Sequence, residues 1–349
     1  MSEHVRTALA TIVEGGTLDL DEARLAMGAV MDGEATPAQL AAMLMGLRMR
    51  GETVDELAGF ASAMRERVIR VEAPPGSMDV VGTGGDGSGT FNISTTSALV
   101  VAAAGIPVAK HGNRAITSRA GSADVLDALG IRVDHDATSA ARALTEHGFA
   151  FLFAPSFHPA MRHAAPTRRE IGVRTAFNLL GPLTNPAGTS RQLLGVGDPR
   201  AAGRFAEVVQ RLGTERTLVV HGLGVDELPL DGTGVIYDVT PEGVERRLVD
   251  AAALGFRPTP TARLAGGDAA TNARYVEAIL RGEPGSRRDV VLLNAGAAFL
   301  ASGAVESIQD GIERAALTID AGLTVQLLDR LRRERAAAEA LAGPAGMQA

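Results

Sequence analysis

The chain has 349 residues, 46% hydrophobic and 21% charged, which is core material for two domains or for one large domain with an appendage. It has no cysteine, which excludes disulfides and thiolate chemistry and fits a cytoplasmic, reducing location. The net charge of −7, from 34 Lys+Arg against 41 Asp+Glu, argues against a general nucleic-acid partner, and no apolar run reaches the length of a membrane span.

The opening MSEHVRTALATIVEGG reads as a charged helix rather than a leader peptide. Residues 1–72 read as entirely helical. Thr17 precedes an amphipathic segment, Thr36-Pro37 is an N-cap with proline at the first helical position, Gly51 is a stop, and Thr53 starts the next helix. The methionines of the third helix (Met43, Met45, Met49) fit core or subunit-interface packing. Pro74-Pro75-Gly76 then reads as a linker.

Beyond the linker, strands and helices alternate. Strands are predicted at 79–81, 106–109, 149–153, 192–196 and 217–221, with a hairpin-like excursion near 235–239 and 245–249. Helices are predicted at 94–104, 121–129, 138–147 and 200–212. A helix opening at His158-Pro159 is interrupted by Pro166 and resumes over 167–180. Residues from 268 onward read as mostly helical, with an Ala-rich tail fraying after Arg335. This order predicts an α/β protein: a small all-helical N-terminal domain and a larger α/β domain with a mostly parallel central sheet covered on both faces.

The most informative stretch is residues 80–98, VVGTGGDGSGTFNISTTSA, read as strand, glycine loop and helix N-terminus. Glycines allow close backbone approach, and a helix N-terminus offers free N–H groups, so the pair makes a phosphate seat. Gly82, Gly84 and Gly87 satisfy G-x-G-x-x-G, but the acid expected about 20 residues on is absent from GIPVAKHGNR, and no Gly-Lys-Ser/Thr follows. Neither a dinucleotide fold nor a P-loop fits. Residues 110–114, KHGNR, read as a basic strand end facing the same crevice, with Lys110 offering a point charge. Residues 117–124 read equally as a second anion seat or an ordinary capped helix start. Asp226-Glu227 suits Mg2+, which prefers oxygen ligands, or reads alone as two exposed acids. His158, Arg162, His163, Arg168, Arg169 and Arg174 fall at helical spacing on one basic face, where the Arg168 guanidinium suits a substrate carboxylate. His4, His135 and His147 read as ordinary surface or helix residues.

The segments GTGGDGSGTFNIST, KHGNR, GSADVLDALG, RREIGVRTAFNLLGPLTNP and HGxGxDE, in this order, closely resemble the anthranilate phosphoribosyltransferase family over nearly the whole chain. The resemblance implies a helical domain of residues 1–72 with 166–184, an α/β domain of residues 73–165 with 185–349, and a homodimer formed through the helical domain. It implies transfer of the 5-phosphoribosyl group from 5-phosphoribosyl 1-diphosphate to the amine of anthranilate, in tryptophan biosynthesis, with Mg2+ as cofactor. Gly82, Gly84, Gly85, Asp86, Asn92, Ser94, Thr95, Lys110 and Ser122 would hold the diphosphate substrate, with Thr90, His111 and Gly112 lining the same site. Asn113 and Arg168 would hold anthranilate, and Ser94, Asp226 and Glu227 would bind Mg2+. No residue stands out as a general base, so Asn113, Arg168 and Lys110 are expected to act by positioning. Pro166-Thr167 stands where many relatives have Pro-Val. The rival readings are a pyrimidine nucleoside phosphorylase and a non-catalytic nucleic-acid-binding relative.

Overall fold

The computed structural model describes residues 2–115 and 119–342. Four helices come first: α1 (Glu3–Val13), α2 (Leu20–Met31), α3 (Pro37–Arg50) and α4 (Val54–Glu66). Three of them start with reciprocal capping boxes, Asp19 with Glu22, Thr36 with Gln39, and Thr53 with Glu56. Each box satisfies two backbone N–H groups that the helix cannot, about 1 kcal/mol per cap. The amphipathic segment after Thr17 is capped by Asp19. Glu56 is fully buried, where it meets Arg50 and the backbone N–H groups of Leu18 and Thr53. Of the three methionines, Met43 is buried and Met49 is 84% exposed.

The α/β part begins with β1 (Met78–Gly82), α5 (Ile93–Ala103), β2 (Val108–Gly112), α6 (Ser122–Ala128), α7 (Ala137–His147) and β3 (Phe149–Phe153). Next come α8 (Ala154–Phe157), α9 (Ala165–Ile171), α10 (Phe177–Leu180), β4 (Arg191–Gly195), α11 (Pro199–Arg211) and β5 (Arg216–His221). The chain finishes with β6 (Thr233–Thr240), β7 (Gly243–Asp250), α12 (Ala269–Leu280), α13 (Ser286–Ser302), α14 (Ile308–Asp320) and α15 (Leu323–Ala342). Among the described residues the strands form one sheet in the order β3-β2-β1-β4-β5-β6-β7. The first five run parallel; β6 and β7 are antiparallel. The predicted excursion is thus a hairpin that widens the sheet.

Strand side chains alternate between faces. Val80, Leu193 and Leu218 join a core with α5, α12, α13 and α14, whereas Val81, Leu194 and Val219 join a core with α11 and the N-terminal bundle. The second core also takes Phe177, Leu180 and Leu183 from the segment between β3 and β4. That segment is not two long helices. Pro166 sits in the first turn of α9, where a missing N–H costs nothing, and Gly172 ends it in the left-handed region. The basic residues 158–174 consequently do not share one helix face.

The helix α15 continues past Arg335 to Ala342, and the rest of the Ala-rich tail lies outside the described residues. Arg332 donates to Leu129 O at 2.7 Å and pairs with Glu277, while Arg335 pairs with Asp127 and Glu339. The same helix covers His135, which is 3% exposed rather than a surface residue, with Nε2 4.0 Å from Glu334. Burial, with Arg132 adding, pushes its pKa down to about 4, against opposing pulls from Asp134 and Asp136. A folded-state value below the unfolded one means the stability tied to the neutral ring is whole above pH 6.5 and is lost as pH falls towards 4. Thermal melts should therefore drop on acidification, and His135→Gln should flatten the profile by about 2 kcal/mol between about pH 6.5 and 5. An unchanged slope would remove His135 from that account.

Candidate active site

In an open α/β sheet, ligands lie beyond the carboxyl ends of the strands, where the strand order reverses. Here the chain leaves β1 for β2 and β3 on one side and returns to β4 and β5 on the other, so the switch point lies between β1 and β4. Their last residues, Gly82 and Gly195, are register partners. Both glycines are required by close approach. A Cβ on Gly82 would stand 2.2 Å from Asp226 Oδ2, and one on Gly195 would stand 1.7 Å from the Asp226 carbonyl oxygen.

Asp226 reaches this point from a tight turn after β5, closed by paired backbone bonds between Gly222 and Val225. The Leu223 backbone is held at φ 50°, a strained conformation for a branched residue. The Asp226 carboxylate accepts from Gly84 N–H at 2.8 Å. Carboxylate oxygens of Asp86, Asp226 and Glu227 all lie within 4.8 Å of one another. The two acids after β5 are therefore not solvent-exposed: Glu227 is 9% exposed, and its Oε2 and Asp86 Oδ2 are buried without a partner among the described residues. Burial first, then the neighbouring carboxylates, raises the pKa of Asp226 and Glu227. Three hard oxygen donors with orphaned lone pairs fit a Mg2+ ion that keeps some of its waters. Sequence pairing identified two of the three; Asp86 joins them from the glycine loop. Ser94 lies half-buried on the first turn of α5.

The N-terminus of α5 is unusual. Asn92 occupies its N-cap position, yet the side chain makes no capping bond. Ile93 N–H turns back to Phe91 O at 2.7 Å, while the N–H groups of Ser94 and Thr95 are left for another acceptor, and among the described residues no partner meets the buried Thr95 Oγ1. Thr90 and Phe91 are held to the segment before α12, with Phe91 N–H donating to Leu264 O at 3.0 Å.

Lys110 corrects the sequence reading. It lies inside β2 rather than at the strand's open end, and it is 2% exposed. Its Nζ donates to Val80 O at 2.5 Å. Burial lowers its pKa to about 8, opposed by Asp79, Glu227 and Asp226. Its ammonium thus serves as an internal counter-ion behind the acidic cluster. Asp79, which the sequence did not single out, is fully buried, accepts from Asn185 Nδ2 at 2.7 Å and from His111 N–H at 3.2 Å, and is raised by burial to about 6. Asn185 also donates to Ala109 O, which stitches the GPLTNP segment to β1 and β2.

His111 and His158 face each other with ring centroids 5.1 Å apart. Both are buried, and burial lowers them to about 3 and about 4, so both are neutral at physiological pH. His111 Nδ1 lies 3.1 Å from Gly181 O. A carbonyl only accepts, so Nδ1 carries the proton and Nε2 keeps a lone pair, which no group among the described residues takes. Arg168 is half-buried over the Phe177 ring at 4.9 Å, and among the described residues no carboxylate pairs with it. Arg174 turns the other way and donates to Gly84 O at 3.0 Å. It borders a cavity of about 430 Å3 between the glycine loop, α10 and α11. Arg162 and Arg169 are exposed.

Gly112 and Asn113 leave the end of β2. Asn113 O accepts from Ser122 Oγ at 3.3 Å, which brings Ser122 to this loop. Asp124 caps the Gly121 and Ala115 N–H groups and pairs with Arg114, so α6 has a capped start with Ser122 at its first position. Thr117 and Ser118 lie outside the described residues.

Residues 6–68 match the glycosyl transferase family, helical bundle domain, and residues 75–325 match the glycosyl transferase family, a/b domain. An anthranilate phosphoribosyltransferase from Thermomicrobium roseum is 51% identical over 335 residues, 94% of this chain and 96% of the relative. One from Pelotomaculum thermopropionicum is 50% identical over 94% of this chain and 95% of the relative. This chain belongs to the anthranilate phosphoribosyltransferase family. The crystal structure of the anthranilate phosphoribosyltransferase from Thermus thermophilus superposes with a TM-score of 0.89 at 44% identity, covering 94% of this chain and 99% of that one. An anthranilate phosphoribosyltransferase from Saccharomyces cerevisiae, in complex with PRPP (5-phosphoribosyl 1-diphosphate) and Mg, has the same fold at 24% identity, with a TM-score of 0.88 over 96% of this chain and 99% of that one.

Proposed function

We propose that the crevice at the β1/β4 switch point carries out the reaction for which the anthranilate phosphoribosyltransferase family is named. The anthranilate amine attacks C1 of 5-phosphoribosyl 1-diphosphate, the C1–O bond breaks, diphosphate leaves with the electron pair, and the amine gives up a proton to solvent water. The observation that carries this reading is the cluster of Asp86, Asp226 and Glu227 set against Gly84 N–H beside the uncapped start of α5.

The residues divide the work by their chemistry. The glycine-loop residues Gly82, Gly84 and Gly85, with Thr90, Asn92, Ser94, Thr95 and Ser122, offer N–H, amide and hydroxyl donors to the diphosphate substrate. Asp86, Asp226 and Glu227, with the Ser94 hydroxyl, would hold Mg2+. When bound, the cation would neutralise charge growing on the departing diphosphate. Lys110 acts from behind the cluster, as a fixed charge rather than a direct grip. Arg168 presents a planar fork to the anthranilate carboxylate, and Asn113 orients the amine. The His111 Nε2 lone pair is suited to accept a hydrogen bond from that amine, with Gly112 leaving room beside it. An arylamine is already nucleophilic, so orientation and electrostatics supply most of the rate.

Residues 166–184 are proposed to belong with residues 1–72 as the helical domain, leaving 73–165 and 185–349 as the α/β domain. The shared core of Phe60 with Phe177 and Leu180, and the bond from Arg65 to Leu183 O, support that division. A homodimer through this domain would cover Val13 and Met49, which are 81% and 84% exposed. Sedimentation should then give twice the 36.0 kDa chain mass; the single mass would remove the dimer. A cytoplasmic location suits the cysteine-free composition.

The direct test follows loss of anthranilate fluorescence. Consumption that requires both 5-phosphoribosyl 1-diphosphate and Mg2+ supports the reading. Phosphorolysis of thymidine or uridine without anthranilate turnover would replace it with a nucleoside phosphorylase.

A further inference from the structure

One hydrogen-bonded chain crosses from α12 into the crevice, and its direction is fixed at both ends. At one end is the backbone N–H of Gly267, which can only donate, and it donates to Asn272 Oδ1 at 2.7 Å. Asn272 is therefore left with Nδ2 as its other group, a donor, and Nδ2 lies 2.9 Å from Asn92. The Asn92 atom there must be the acceptor, Oδ1. Its Nδ2 then points away, towards Ala120 O at 3.4 Å, and a backbone carbonyl can only accept. Neither side-chain amide in this relay can flip without placing donor against donor or acceptor against acceptor.

The consequence falls on α5. An asparagine at an N-cap ordinarily turns Oδ1 back onto the N–H groups of its own first turn. Here Asn272 takes that oxygen, and Asn92 makes no capping bond. The arrangement is built closely: Asn272 is 2% exposed, and a Cβ on Gly266 would meet both its Oδ1 at 2.8 Å and the Phe91 Cα at 2.9 Å. Gly266 N–H also donates to Gly89 O at 2.8 Å, so the segment is fastened to the far end of the glycine loop.

We propose that Asn272 is a positioning residue for the phosphoribosyl substrate. By engaging Asn92 Oδ1 it keeps the α5 N-terminus uncapped and fixes the Asn92 amide, with one Nδ2 hydrogen on Ala120 O and the other left for the substrate. This inference rests on the reading of Asn92 and the α5 N-terminus as the diphosphate seat. Asn272 itself touches no substrate; it acts through Asn92, across 180 positions of sequence.

Asn272→Asp keeps the acceptor for Gly267 N–H and loses the donor to Asn92. Steady-state kinetics should show KM for 5-phosphoribosyl 1-diphosphate raised about tenfold, the cost of one misdirected hydrogen bond, with kcat and KM for anthranilate nearly unchanged. Asn92→Ala should raise the same KM, and adding Asn272→Asp to it should raise it no further. Asn272→Ser, neutral and too short to reach Asn92, gives the same cycle if the acid prevents folding. An unchanged KM in both Asn272 variants, or effects that add in the double variant, would overturn the positioning role, since charge or general damage adds where a shared partner does not. An unchanged KM in Asn92→Ala would instead overturn the reading of the α5 seat beneath it.

Discussion

Replacing Asp226 with Asn and Glu227 with Gln is expected to abolish turnover, by about 10³-fold or more in kcat/KM, and to erase the response to Mg2+. The two residues supply most of the carboxylate oxygen at the switch point, and Asp86 alone is too little to hold a weakly bound, strongly hydrated ion. The same variant should melt higher than the parent protein when both are measured in chelator. Burial and mutual repulsion already push protons onto Asp226 and Glu227, so neutral amides relieve a cost that the fold carries without metal. Loss of activity together with a gain in melting temperature marks a site selected for chemistry over stability. A double variant with a normal magnesium titration would sink the metal assignment, and a lower melting temperature would show the acids to be structural.

Arg168→Ala is expected to raise KM for anthranilate by about 10²-fold, with KM for 5-phosphoribosyl 1-diphosphate nearly unchanged. A charge-assisted, two-pronged bond at a half-buried position is worth about 2–3 kcal/mol. The guanidinium is pre-set for this by its seat on Phe177, and among the described residues no acid competes for it. Arg168→Lys should recover little, because an ammonium lacks the planar fork and the stacking. Substrate titrations at fixed Mg2+ separate the two constants, and an unchanged KM for anthranilate would reassign the arginine.

The sequence was most legible where the cause is local. Thr36 and Thr53 mark their helices because a cap and its partner lie three residues apart, and the glycine loop is visible because its conformation demands glycine in a run. Alternating strands and helices were enough to place the crevice beyond the strand ends. What stayed hidden was depth and distance. Lys110 looks like a loop cation because nothing near it in sequence tells that β1 and β3 will bury it. Asp79 reads only as the first residue of a strand until Asn185, 106 residues on, supplies its partner. Helical spacing over 158–174 misled for another reason: a 3-10 turn ends at His163, α9 starts afresh at Ala165 and Gly172 ends it, so the basic residues fall on separate elements. Asn272 gave no signal at all, since its role exists only once α12 docks on the glycine loop.

The mixed ancestry of the second hydrophobic core bears on how the protein is made. Its members come from residues 5–64 and again from residues 164–239, with almost nothing between except Val81. A ribosome adding about 5–20 residues per second needs on the order of 10 to 30 s to pass from the first group to the end of α11. During that interval α1–α4 have good local caps but not the full set of Phe177, Leu180 and Phe205 to close against. The bundle that emerges first is the part completed late, with an apolar face open to chaperones and to other nascent chains until the sheet's second half is synthesised.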